Sequence, residues 1–202
     1  MTQSTDAWIA RGKYFTHRGH NIFWREEGRE DAPILLLIHG FPTASWDWQH
    51  VWSDLLKRYG LLTLDMIGFG YSDKPRDYTY SIKDQADIYD RFLTSRRVSE
   101  FHILAHDYGD TVAQELIARD IERSDRPKLR SVCLLNGGLF PETHRRMRFQ
   151  SFLLSPIGPL VSLLTNKRKL SQNMRAVFGK QYPPDTETLD SMWDMLRLQH
   201  GE

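Results

Sequence analysis

The chain has 202 residues, 27 Lys and Arg against 26 Asp and Glu, and 40% hydrophobic residues, the size and balance of one globular unit of ~100–200 residues or slightly more. A formal net charge of +1 offers no basic surplus for nucleic acid, the composition excludes disordered and collagen-like chains, and a complete (β/α)8 barrel of ~250 residues does not fit. The single cysteine, Cys133, excludes an intrachain disulfide and a cysteine-based zinc site.

In chain order, Met1 to Ala10 lacks the charged start and apolar stretch of a secretory signal, and a cytoplasmic protein is expected. Lys13 to Arg25 alternates loosely (Tyr14, Phe15, Ile22, Phe23) around Arg18-Gly19-His20, the pattern of an antiparallel hairpin at a sheet edge. Four apolar runs follow, Ile34–Ile38, Leu61–Asp65, Phe101–Ala105 and Ser131–Leu135. Continuous apolar runs mark strands buried on both faces, as in a parallel sheet, and Cys133 inside the last run is expected to be a buried thiol. Between the runs, Ile88, Phe92 and Leu93, then Val112, Leu116 and Ile117, recur at helical spacing. This βαβ alternation predicts an α/β fold, a mostly parallel, doubly wound sheet over residues 1–138. After Asn136-Gly137-Gly138 the character changes, and prolines interrupt short helical pieces. Residues 139–202 are therefore expected to form all or part of a helical cap segment. Within it, Phe152 to Leu164 is broken by Pro156, Gly158 and Pro159 and falls short of the ~20 residues of a spanning helix. It suits the inner face of a lid better than a membrane or partner surface.

Ligands of open α/β sheets bind beyond the carboxyl ends of the strands. There, Ala105-His106-Asp107-Tyr108-Gly109-Asp110 forms a small-x-nucleophile-x-small turn between a strand and a helix, with Asp107 at the nucleophile position. A bare helix cap is the alternative role for Asp107. His39-Gly40-Phe41-Pro42 follows the first buried strand, where the Phe41 and Tyr108 amides would form an oxyanion hole. The loop Asp65 to Pro75 has glycines for a path across the sheet but no evident chemistry, and its Ser72 lacks a nucleophile turn. Trp46 and Trp48 suit core packing more than substrate lining, and Asp110 adds a like charge next to Asp107. Gly68-Phe69-Gly70 lacks the third glycine of a dinucleotide fingerprint. No metal cluster or phosphate loop stands out, and no cofactor is expected.

In this order, the three segments resemble the α/β-hydrolase fold, in particular its aspartate-nucleophile branch of epoxide hydrolases and haloalkane dehalogenases. His39 to Thr43 with Trp48, Ala105 to Leu116, and Asn136 to Arg145 are similar to the mesoderm-specific transcript protein family. The resemblance implies a hydrolase in which Asp107 opens an epoxide or displaces a halide from a small apolar substrate through a covalent alkyl ester. Phe41 and Tyr108 would stabilise the charge, and His39, Trp46 and Tyr182 would contact substrate. Tyr108 and Phe41 depart from the Trp and Asn of haloalkane dehalogenases. Epoxide hydrolases use two cap tyrosines, and beyond residue 138 Tyr182 is the one tyrosine, for which core packing is the favoured role. The fold also needs a histidine and an orienting acid after Asp107. His144 and His200 follow no buried strand, and Asn136 occupies the end where some dehalogenases place the acid. The expected explanation is a chain truncated at its carboxyl side, its last strand an apolar edge prone to self-association. The alternative is a catalytically incomplete, hydrolase-like binding or interaction protein.

Overall fold

The computed structural model describes residues 4–123, 125–138 and 166–198. The chain divides into two compact units, Met1–Leu139 and Phe140–Glu202.

The first unit is built on a six-stranded sheet of order β1-β2-β4-β3-β5-β6. Its strands are β1 (Lys13–His17), β2 (His20–Glu27), β3 (Ile34–Ile38), β4 (Gly60–Leu64), β5 (Glu100–His106) and β6 (Lys128–Leu135). The hairpin β1–β2 is antiparallel and joins β4 antiparallel. From β4 through β3 and β5 to β6 every pairing is parallel. The four apolar runs and the edge hairpin therefore form the strands that the sequence predicts. All five residues of β4 and four of the five in β3 are buried, because these central strands have helices over both faces.

Successive strand residues point to opposite faces, and two adjacent residues of β2 show what covers each. Trp24 packs on Phe92 of α3 (Ile82–Ser95), with ring centroids 5.2 Å apart. Arg25 faces the other way, and its guanidinium lies 4.1 Å from the ring of Trp8 in α1 (Thr5–Ile9) and 4.6 Å from that of Trp52 in α2 (Gln49–Leu55). A buried charge needs a partner; Glu27 supplies it at 2.7 Å and also accepts the Trp52 indole N–H at 2.9 Å. On the Trp24 face, Ile88, Phe92 and Leu93 of α3 and Val112, Ala113 and Leu116 of α4 (Tyr108–Glu122) close the main core. The helix starts are encoded locally: Ser81 caps α3 by accepting the Asp84 N–H at 3.1 Å.

The strand β6 corrects one expectation. It alternates between half-buried Leu129, Val132 and Leu134, with α4 against that face, and exposed Arg130, Ser131, Cys133 and Leu135. Cys133 is thus exposed, not a buried thiol. Among the described residues β6 pairs with β5 alone, so an apolar run that reads as doubly covered is covered on one face.

In the second unit, α5 (Lys167–Val177) is capped by Asn166 and α6 (Thr186–Arg197) by Asp185. Leu170, Leu189, Met192 and Met195 are its buried hydrophobic residues among those described. No helix among the described residues is long and apolar enough to cross a membrane.

Candidate active site

The parallel strands deliver their carboxyl ends to one edge, where the β3–η and β5–α4 junctions meet (η, Ser45–Trp48, is a short 3-10 helix). Ile38 pairs with Ala105, and Gly109 lies directly beneath the turn after β3. A Cβ on Gly109 would stand 2.5 Å from the Ile38 carbonyl and 2.6 Å from the His39 carbonyl, a clash with backbone. The small residue of the sequence motif is therefore a geometric requirement. Gly40 meets the same constraint from the facing loop, where a Cβ would be 2.7 Å from Asp107 Cβ.

Between strand and helix, Asp107 adopts φ 54° and ψ −116°. A non-glycine residue there costs on the order of 1–3 kcal/mol, strain characteristic of functional positions. Although Asp107 occupies the N-cap position of α4, its side chain makes no capping hydrogen bond. Its Oδ1 instead accepts the Phe41 N–H at 3.0 Å. The cap role considered for Asp107 is not the one adopted. The Tyr108 N–H is the first amide of α4, among those that a helix leaves without an intrahelical partner. The structure thus brings Asp107, the Phe41 amide and the start of α4 together. Burial raises the Tyr108 phenol above its ordinary pKa, and its ring lies 5.9 Å from Phe69. The Phe41 side chain is exposed and meets Phe69 edge-on.

His39 departs from its expected substrate contact. It is fully buried, Nε2 accepts the Met66 N–H at 3.0 Å, and Nδ1 lies 2.8 Å from the Gly40 carbonyl. An acceptor Nε2 requires a neutral ring with its proton on Nδ1, so both nitrogens are spent on the loops. Burial also lowers the His39 pKa, which favours the same neutral form. Trp46 and Trp48 are buried at 3% and 6% exposure, the core role that the sequence favours. Tyr182 is 80% exposed in the second unit, against both core packing and enclosure around a substrate. His144, His200 and the segment 152–164 lie outside the described residues.

One acid that sequence reasoning left without a role organises the loops around the site. Asp65 is fully buried; Oδ1 accepts the Ser45 N–H at 2.8 Å and Oδ2 the Tyr71 N–H at 2.7 Å. It fastens the loop before η to the glycine loop, and a Cβ at Gly70 would lie 2.1 Å from its Oδ2. Ser72 is equally structural: its hydroxyl accepts the Phe23 N–H and donates to the Asp65 carbonyl. Asp47 accepts a hydrogen bond from Thr43, and burial pushes its pKa up to about 7. Asp110 is fully buried; burial raises its pKa, opposed by the Leu135 and Gly137 amides.

A strand-turn-helix with a strained residue at its apex, on a mixed and mostly parallel sheet, is the arrangement of the α/β hydrolases. Residues 33–199 match the family model for the alpha/beta hydrolase fold, and the chain belongs to that family. It is 41% identical over its whole length to a mesoderm-specific transcript homolog protein of Bos taurus, of which it covers 62%. It is 30% identical over 98% of its length to a putative hydrolase, LipZ, of Mycobacterium tuberculosis, of which it covers 68%. Among solved structures, the haloalkane dehalogenase DatA of Agrobacterium tumefaciens superposes with a TM-score of 0.76 at 23% identity, covering 94% of this chain and 64% of DatA. The chain thus spans about 62% of the length of the mesoderm-specific transcript proteins that it matches.

Proposed function

We propose that this chain carries the nucleophile centre of a hydrolase acting on a small apolar epoxide or organohalide. The Asp107 carboxylate attacks the electrophilic carbon; a carbon–oxygen ester bond forms as the carbon–halogen or epoxide carbon–oxygen bond breaks, and halide or alkoxide leaves with the electron pair. The alkoxide takes a proton from solvent water and becomes the hydroxyl group of the hydroxy ester. Water then adds to the ester carbonyl, and its oxygen becomes an oxyanion held by the Phe41 and Tyr108 amides. Collapse of that intermediate frees the product alcohol and restores Asp107. The second half needs a base for the water proton; His144 and His200, the histidines after Asp107, belong to the undescribed residues.

The observation that carries this reading is the Asp107 carboxylate itself. It is held at a strained apex, unused as a cap, with the Phe41 amide 3.0 Å from Oδ1. A carboxylate that already contacts an amide donor needs little rearrangement to become the ester carbonyl that the same donor polarises.

The test is covalent trapping with styrene oxide followed by intact mass measurement. A thiol also opens epoxides, and Cys133 is exposed, so the protein carries Cys133→Ser. One adduct is expected, cleaved by hydroxylamine as an ester must be, and absent in Asp107→Asn. A folded protein that neither takes up an adduct at Asp107 nor converts styrene oxide to its diol rules this mechanism out and favours the binding-protein alternative.

A further inference from the structure

Asp110 has no part in the proposed reaction, yet it is fully buried in the first turn of α4. A buried carboxylate is costly unless its contacts compensate. Three hydrogen bonds close a ring through it. The Asp107 N–H donates to the Leu135 carbonyl at 3.0 Å, the Leu135 N–H donates to Asp110 Oδ1 at 3.3 Å, and the Asp110 N–H donates to the Asp107 carbonyl at 3.1 Å. Leu135 ends β6, where it pairs with His106, the residue before Asp107. The ring therefore engages both backbone polar groups of Asp107, one toward the neighbouring strand and one toward the helix.

Two of these links join backbone to backbone and are open to any residue. The third depends on the Asp110 side chain. The chain leaving β6 passes directly over that carboxylate, since a Cβ on Gly137 would lie 2.2 Å from Asp110 Oδ2. Just before it, Asn136 turns the chain at φ 58°. A strained backbone such as that of Asp107 persists only where its surroundings over-determine it. Gly109 under β3 supplies one restraint, and the ring supplies a second from the opposite neighbour.

We infer that Asp110 is a positioning residue, whose carboxylate ties the end of β6 to the first turn of α4 and so holds Asp107 in the strained conformation that presents its side chain to the Phe41 amide. The inference rests on the reading of Asp107 as nucleophile for its consequence, but the tie itself is a structural claim that can be measured separately.

Two readouts keep them apart, both in the Cys133→Ser protein. The first is the rate of styrene oxide adduct formation at Asp107. The second is hydrogen exchange of the Leu135 and Asp107 amides, which needs no chemistry at Asp107. Asp110→Ala removes the acceptor and is expected to slow alkylation at least tenfold and to speed exchange of the Leu135 amide at least tenfold. Asp110→Asn keeps a side-chain oxygen for the Leu135 N–H and is expected to rescue both. If Asp110→Ala does not fold, Gly137→Ala attacks the tie from the other side, by driving a methyl group into the carboxylate, and is expected to reproduce both effects. Unchanged Leu135 exchange in Asp110→Ala or Gly137→Ala overturns the tie. Equal losses in Asp110→Asn and Asp110→Ala overturn it too, since they would trace to charge and not to the hydrogen bond. If no variant or parent forms an adduct or consumes styrene oxide while Leu135 exchange responds as expected, the nucleophile reading fails and the tie stands.

Discussion

The carboxyl of Asp47 gives the site a pH response of definite sign. One of its oxygens accepts from Thr43, while Oδ1 is buried without a hydrogen-bond partner, and burial pushes its pKa up to about 7. The unfolded chain releases this proton near the ordinary Asp value of ~3.9. Between those values the folded state binds the proton and the unfolded state does not, so this group's contribution to stability declines as pH rises through the window. His39 and His17 act in the opposite direction. Burial lowers the pKa of each, so the unfolded chain takes up protons first and stability falls as pH drops below ~6.5. Asp47→Asn keeps an acceptor for Thr43 and abolishes one side of this balance. Its stability relative to the parent is expected to rise from pH 4 to pH 8, reaching a gain of roughly 1–3 kcal/mol at the upper end. Urea unfolding at several pH values checks this, and two parallel stability curves would contradict it.

At the scale of elements, the pairing of α3 with α4 depends on Arg119 as well as on the apolar seam. Its Nη1 reaches Asp87 at 2.7 Å and Asp90 at 2.9 Å on α3, Nε reaches Glu115 at 2.9 Å, and Nη2 donates to the Lys83 carbonyl at 3.0 Å. With its side chain 14% exposed, this network lies between exposed pairs, worth about 0–1 kcal/mol, and buried ones, whose breakage costs about 3–5 kcal/mol. Arg119→Met is therefore expected to destabilise by about 2 kcal/mol, and Arg119→Lys to recover less than half, because one ammonium cannot serve four acceptors in a fixed fork. A urea midpoint for Arg119→Met equal to that of the parent would refute the assignment. The elements themselves were legible in the sequence where burial is two-sided: the runs in β3 and β4 are apolar because helices cover both faces. The turn at Asp107 was legible for a similar reason, since contact with β3 leaves room for glycine alone at 109. What escaped depends on partners distant in sequence. Asp65 acquires its role from Ser45 and Tyr71, His39 loses its expected one to Met66, and Arg25 is buried in a strand because Trp8 and Trp52 flank it. Nothing local to those residues announces such contacts.

For the molecule as a whole, the exposed features of β6 raise the question of association. Among the described residues its outer side is unpaired, which leaves backbone donors and acceptors available to another chain. The two halves of this edge differ. Lys128 and Arg130 place charges on the first half, and Arg130 is paired with Glu100. Ser131 to Leu135 contains no charge, and Cys133 and Leu135 are exposed on it. Charged side chains are the usual protection of a strand edge, so the uncharged half is where pairing with a second copy should begin. We therefore predict that this 202-residue chain self-associates at micromolar concentration, with a sedimenting mass above the 23.7 kDa of one copy. The association should persist under reducing conditions, which separates strand pairing from a disulfide through Cys133. Leu135→Lys adds the missing charge at an exposed position, where substitutions usually change stability by no more than about 0.5 kcal/mol, and is expected to shift the equilibrium toward monomer. A parent chain that sediments as a stable monomer would show that the edge is protected despite its composition, and association unchanged by Leu135→Lys would move the contact away from β6.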